Sequence, residues 1–384
     1  MGGSVDPVEL ARALLRRPSV TPDDAGCFDL LGGLLEAAGF HVERHRFHAP
    51  HPVPVDNLYA RLGSGRPVFA FSGHVDVVPP GEEAAWTHPP FAATVADGFL
   101  WGRGACDMKG AVAAFTAAAL ALAREGGPPA GTLLILLTAD EEGPARNGTR
   151  ALLEHLRLRG EPLDMALVGE PTCVERLGDT VKIGRRGSMT CTLEVRGRLG
   201  HVAYAERADN AAHRMVRLLA RLLDEPLDAG TPHFAPSGLQ ITTVDVGNPT
   251  ANLVPARARA VFNVRFNDRH TPEGLEALLR RRLAEVGGDW TLACEVSALP
   301  FLTEPGPLVE TVRAAVEAET GTTPRLSTAG GTSDARFFRD LCPVVEFGLV
   351  GTTIHQVDER VAVTDLLELT RIYEGILRRV FGGG

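Results

Sequence analysis

The sequence lacks the features that would place it in several large functional classes. Its six cysteines (Cys27, Cys106, Cys173, Cys191, Cys294 and Cys342) include no CxxC pair, which excludes a zinc knuckle and argues against a disulfide framework. A reduced, cytoplasmic protein is the expectation. No apolar signal core precedes the first helix, and the twin arginines Arg16 and Arg17 fall at that helix's end, so neither a targeting nor an export segment is expected. The longest near-apolar run, Ala111 to Ala123, is too short to span a bilayer and reads as a buried helix. Basic residues do not dominate: 39 against 48 acidic gives −9, without long runs, so nucleic acid and anionic membrane are not expected partners. There is no GxSxG elbow and no GxxxxGK[ST] loop, which removes the usual serine-nucleophile and nucleotide-phosphate schemes. Internal repeats and low-complexity linkers are absent too.

What is present is a chain of 384 residues, 44% apolar and 23% charged, long enough for two domains and a large core. The stretch that organises it is Trp101 to Gly110, WGRGACDMKG. Gly102 and Gly104 free the backbone to turn just before Asp107. Lys109 then opens an alanine-rich helix that ends at Gly126 and Gly127. A carboxylate between a tight turn and a helix is well placed to ligate.

Helices are predicted over Val5–Arg17 and Phe28–Gly39, and a strand over Phe40–Phe47. His41, His45, His48 and His51 cluster beside Pro50, Pro52 and Pro54. Their spacing suits no single helix or strand face, so this stretch reads as an exposed loop. Four apolar runs read as buried strands, each followed by polar groups: Val68–Phe71 before GHVDVVPPG, Thr132–Leu137 before TADEEG, Leu163–Val168 before GEP, and Val344–Leu349 before GTTIH. Such strands separated by helices imply an α/β domain with a largely parallel sheet covered on both faces. Ligands of these sheets bind beyond the carboxyl ends of the strands. His74, Asp76, Glu141, Glu142, Glu170 and His355 all fall there. A lone histidine at a strand end is most often structural, and a Glu-Glu pair most often a solvated turn. Six such groups after separate strands form a pattern.

Histidines and carboxylates together suit zinc, cobalt or manganese, and their number exceeds the needs of one four-coordinate ion. Two ions sharing a bridging carboxylate would use them all. Glu141 and Glu142 diverge from the backbone, so one can ligate while the other serves a water as general base. Asp76, two residues after His74, projects to the same side and can accept the imidazole N–H.

Between about Asp179 and Ser297 the pattern changes to β-α-β-β-α-β, the ferredoxin-like order. Here Arg185 and Ser188 (in GRRGS) and Arg265 put fixed positive charge near a hydroxyl, an arrangement suited to carboxylate capture. GGTSD (Gly330 to Asp334) has no lysine for nucleotide phosphates, but its small residues suit a loop that holds a carboxylate.

In this order, SGHVDVVPPG, WGRGACDMKG, TADEEG, VGEPT, GRRGS, GHVAY, GGTSDARF and TIH resemble the dinuclear zinc M20 metallopeptidase family, from about Leu10 to the last helix. The resemblance implies two Zn2+ ions, with Co2+ or Mn2+ as substitutes. Asp107 would bridge them, with a cis bond to Met108. His74 and Glu170 would complete one site, Glu142 and His355 the other. Glu141 would be the general base, and Asp76 would tune His74. Residues 1–178 and 298–384 would form the catalytic domain, and 179–297 a lid and dimerisation domain. His201 would act in the partner's site of a homodimer. Tyr204 and Asn252, with Arg185, Ser188, Arg265, Gly331 and Thr332, would contact substrate. The implied reaction is hydrolysis of N-succinyl-LL-2,6-diaminopimelate, with N-acetylornithine deacetylation or another aminoacylase activity as the alternative. Ala251 and Gly351 stand where the succinyl-specific pattern has asparagine. A catalytically dead, metal-stabilised homodimer is the rival from another class.

Overall fold

The structure is a computed structural model that describes residues 5–126 and 129–382. The chain forms two compact units. The first comprises residues 1–183, 303–327 and 333–384; the second comprises Gly184–Leu302 with Thr328–Thr332. The inserted unit therefore starts and stops five residues later than the change of sequence pattern, and it also takes in part of the GGTSD loop.

In the first unit the central sheet has seven strands. Its middle is formed by two long segments, Val55–His74 and Ala130–Thr138. The register shows how they interleave. Asn57 lies opposite Thr138 and Gly63 opposite Thr132, whereas Val68 lies opposite Thr132 and His74 opposite Thr138. Val55–His74 is thus a hairpin bent at Gly63–Pro67 whose two arms flank Ala130–Thr138, the second arm running parallel to it. Met165–Val168 pairs in parallel with the second arm, and Val344–Glu346 in parallel with Met165–Val168. Val68–Phe71, Thr132–Leu137 and Met165–Val168 among them carry mostly apolar side chains, as a sheet covered on both faces requires.

Helices Pro7–Leu15, Gly110–Gly126 and Val363–Phe381 pack against one another and the sheet. Phe71 of the sheet stacks on Phe115 at 3.8 Å between ring centroids, with Tyr373 edge-on to both rings. The helical stretch Ala105–Glu125 is longer than the apolar run suggested, long and apolar enough by composition to cross a membrane. In the fold 89% of its apolar window is buried, which makes it the core helix.

The second unit has a four-stranded antiparallel sheet in the order Gly238–Asp245, Arg257–Phe266, Gly187–Arg196, Trp290–Ala298. Helices Ala211–Leu223 and Pro272–Val286 cover one face through a shared core that includes Met189, Leu193, Met215, Leu218, Phe262 and Leu279. Each helix starts with a side-chain cap, Asn210 accepting from Ala212 and His213 N–H, and Thr271 from Gly274 N–H. The order is the βαββαβ arrangement read from the sequence.

One local expectation fails. His41 and His45 do not lie in a loop; with Glu43 they share one face of the edge strand His41–Phe47, which pairs antiparallel with the first hairpin arm. Residues 41, 43 and 45 obey the two-residue period of a strand, and the prolines act only after Phe47. His48 and His51 follow in irregular backbone.

Candidate active site

The first unit gathers its polar groups where the strands end. His74 is the last residue of the hairpin, Glu141 and Glu142 follow Ala130–Thr138, Glu170 follows Met165–Val168, and His355 follows Val344–Glu346. Asp107 comes from the turn Ala105–Lys109, in a non-helical conformation (φ −123°, ψ 96°) and with a cis bond to Met108. The turn needs Gly104: its φ is +85°, and a Cβ there would come within 2.7 Å of Val77 Cγ1.

The Asp107 carboxylate is split between two histidines. Oδ1 is 3.1 Å from His74 Nε2, and Oδ2 is 3.3 Å from His355 Nε2. His355 Nε2 also lies 2.8 Å from Glu142 Oε1, and His74 Nε2 lies 3.8 Å from Glu170 Oε1. Two ligand-like groups overlap here, His74 with Asp107 and Glu142, and His74 with Glu141 and Glu170. His355 is held at φ +59°, a left-handed conformation uncommon outside glycine, which aims its ring at this cluster.

The electrostatics are those of an anionic pocket. Burial pushes the Glu141 carboxyl well up, and the neighbouring charges of Glu170, Asp334 and Asp107 add to it. Burial works against a charged His74, yet the Asp107 carboxylate and the charges of Glu141 and Glu170 outweigh it and raise the ring well above its usual range. His355 is pushed up to about 10 by its bonds to Asp107 and Glu142. Four carboxylates around two imidazoles leave a negative excess that suits divalent cations.

Asp76 differs in detail from expectation. His74 Nδ1 meets the Asp76 backbone carbonyl at 2.9 Å, while the Asp76 carboxylate lies 3.7 Å away. That carboxylate instead accepts the N–H groups of Glu141 (3.3 Å) and Glu142 (3.1 Å). The main chain bends back to serve the ring, leaving the side chain to fix the acidic pair.

Three further residues, Glu359, Arg103 and Lys109, were given no role at the site by sequence reasoning. Glu359, fully buried, accepts the N–H groups of Cys106 (3.0 Å) and Asp107 (3.2 Å), and Arg103 Nη1 holds its other oxygen at 2.6 Å. Burial and the Asp107 charge raise the Glu359 carboxyl, and Arg103 opposes them. Arg103 and Glu359 stand 256 positions apart, so no local sequence pattern links them. Lys109 Nζ ties the same turn to the end of the first helix through the carbonyls of Leu14 (3.1 Å) and Arg17 (2.7 Å).

The other expected site residues lie in the second unit. Arg185 and Ser188 are buried. Arg185 donates to the carbonyls of Ala329 (3.4 Å) and Gly331 (3.3 Å). Ser188 sits opposite Arg265 in the sheet register and accepts from Asn263. Arg265 Nη1 is buried and meets no hydrogen-bond partner among the described residues. Desolvation lowers its pKa, and the neighbouring Arg186 charge adds to that. His201, Tyr204, Asn252 and Gly331 are exposed in their unit, and Thr332 is partly buried. His201 Nδ1 accepts the Ala203 N–H at 3.1 Å, which places the proton of a neutral ring on Nε2, and its ring lies 5.8 Å from that of Tyr204.

Residues 70–379 match the family described as peptidase family M20/M25/M40. The chain is similar to the succinyl-diaminopimelate desuccinylase of Rhodospirillum centenum, 57% identical over 98% of each chain. It is 54% identical to that of Methylobacterium nodulans over 100% of this chain and 98% of the relative. Among solved structures, an aminopeptidase from Bacillus cereus aligns with a TM-score of 0.80 at 19% identity, covering 98% of this chain and all of that one. A protein from Bacillus subtilis described as a dinuclear metal-binding peptidase of the M20 family aligns with a TM-score of 0.72 at 16% identity, covering 98% of each chain. With the family match spanning most of its length and relatives more than half identical along nearly all of it, the chain belongs to peptidase family M20/M25/M40.

Proposed function

We propose that this chain hydrolyses N-succinyl-LL-2,6-diaminopimelate to succinate and LL-2,6-diaminopimelate in the cytoplasm, using two divalent metal ions. The observation that carries the hydrolytic reading is the split carboxylate of Asp107, each oxygen facing a different histidine within a surplus of buried acid. That donor set, imidazole with carboxylate, fits Zn2+, and Co2+ or Mn2+ would also suit it. His74 and Glu170 would hold one ion, Glu142 and His355 the other, with Asp107 shared.

Bound there, the ions would supply electrophilic polarisation of the amide carbonyl and acidify an attacking water. Glu141, whose burial raises the proton affinity of its carboxylate, would take a proton from the attacking water and return it to the leaving amine nitrogen. Asp76 holds the backbone of Glu141 and Glu142 so that one side chain can ligate while the other moves the proton. His201, with its proton on Nε2, would donate to the developing oxyanion across a homodimer. Arg185, Ser188, Arg265, Gly331 and Thr332 would bind the substrate carboxylates. The buried N–H of Arg265, unpartnered among the described residues, supports an anionic partner in that position. Tyr204 and Asn252 would border the acyl chain, and the second unit would act as lid and dimerisation module.

The test is amine release from N-succinyl-LL-diaminopimelate and from N-acetylornithine, side by side, with zinc and with chelator. Zinc-dependent turnover of the succinyl compound alone is expected. Turnover of the acetyl compound alone would keep the metal chemistry and overturn the substrate. No turnover of either would overturn the reading.

A further inference from the structure

We infer that the first unit carries an additional divalent-metal site, built from Glu43, His45 and His155, apart from the candidate active site. One ligating atom of each residue lies within 4.8 Å of the other two. Glu43 and His45 project from the same face of the edge strand His41–Phe47, and His155 comes from the helix Thr149–Leu158 beside it.

The three groups face one another across a short gap. His45 Nε2 is 3.0 Å from a Glu43 carboxylate oxygen but poorly aligned for a hydrogen bond. Among the described residues, His155 Nε2 meets no hydrogen-bond partner and His45 Nε2 only the misaligned Glu43 oxygen, while both are shut off from solvent, a costly arrangement for two imidazole nitrogens. The His45 and His155 ring centroids lie 4.4 Å apart, and Phe47 walls off one side. Two imidazoles and a carboxylate are a donor set for Zn2+ or a comparable first-row ion.

Arg159, 2.7 Å from Glu43, and His41, 2.9 Å from it, are the competing donors. Both are exposed, at 42% and 67%, so they can turn outward as a cation enters. A metal here would clip the sheet edge to the helix.

Zinc content after equilibrium dialysis of the full chain tests this, comparing wild type with His155→Gln and His45→Gln. Each variant is expected to hold one equivalent less zinc while turnover of the succinyl substrate is unchanged. Arg159→Gln is expected to bind that equivalent roughly two- to fivefold more tightly, since it removes an exposed competing charge. Circular dichroism of the metal-free proteins checks that the variants fold. Equal zinc content in wild type and both folded histidine variants would overturn the proposal. The readout is a difference in stoichiometry, so it stands whether or not the proposed hydrolysis is observed.

Discussion

Asp107 and Glu141 have opposite tasks, and their surroundings separate them. Contacts with two histidines overcome burial and hold Asp107 ionised, whereas Glu141 is surrounded by other acids and driven towards its protonated form. A shared ligand needs the first condition and a proton carrier the second. Glu141→Ala is therefore expected to retain metal, by elemental analysis, and to lose turnover by several orders of magnitude. Near-normal turnover in that variant would remove Glu141 from the chemistry. Glu359 acts one step further out, through the backbone N–H groups that shape the Asp107 turn. Glu359→Gln keeps the side chain's size but weakens its bond to Arg103. Metal affinity or turnover is expected to fall by roughly 10- to 100-fold, as for other supports of metal ligands. Unchanged affinity and rate would make Glu359 merely structural.

At the scale of elements, legibility followed the length over which a signal repeats. Apolar runs such as Thr132–Leu137 and Val344–Leu349 announced buried strands, because a strand covered on both faces must be apolar throughout. The hairpin arms around Ala130–Thr138 were hidden, since periodicity does not say which neighbour a strand chooses. Likewise the alternation of His41, Glu43 and His45 was masked by the prolines just beyond it. Asp228 was also silent in the sequence, although it fastens a loop of the second unit. Its carboxylate accepts from Gly230 N (2.6 Å), Asn267 Nδ2 (2.7 Å) and His270 Nε2 (3.0 Å). Burial alone would raise its pKa, but the bonds from Ser237, Gly230 and Asn267 lower it from 3.8 to about 2. A folded-state pKa below the unfolded one contributes stability that is present above about pH 4 and is lost as pH falls toward 2. The side chain is 6% exposed, so on the order of 2 kcal/mol is at stake. Asp228→Asn is expected to lower the thermal midpoint at pH 7 and to have little effect near pH 2. A shift of equal size at both values would refute the electrostatic account.

For the whole molecule, the metal-ligating and base candidates all lie in one compact unit, and His201, Arg185 and Arg265 all lie in the other. The proposed homodimer joins them in a specific way, each site using its own Glu141 and the partner's His201. That arrangement makes complementation the decisive measurement. Glu141→Ala and His201→Ala homodimers are each expected to be nearly inactive. In a heterodimer of the two, one site combines both defects, while the other keeps an intact Glu141 and receives an intact His201. Purified through two different affinity tags, it should recover about half of wild-type turnover, because two-fold symmetry gives one competent site of two. Were His201 to serve its own chain, each site in the heterodimer would still carry one lesion and no activity would return. The outcome separates the two arrangements without any assumption about how the units move.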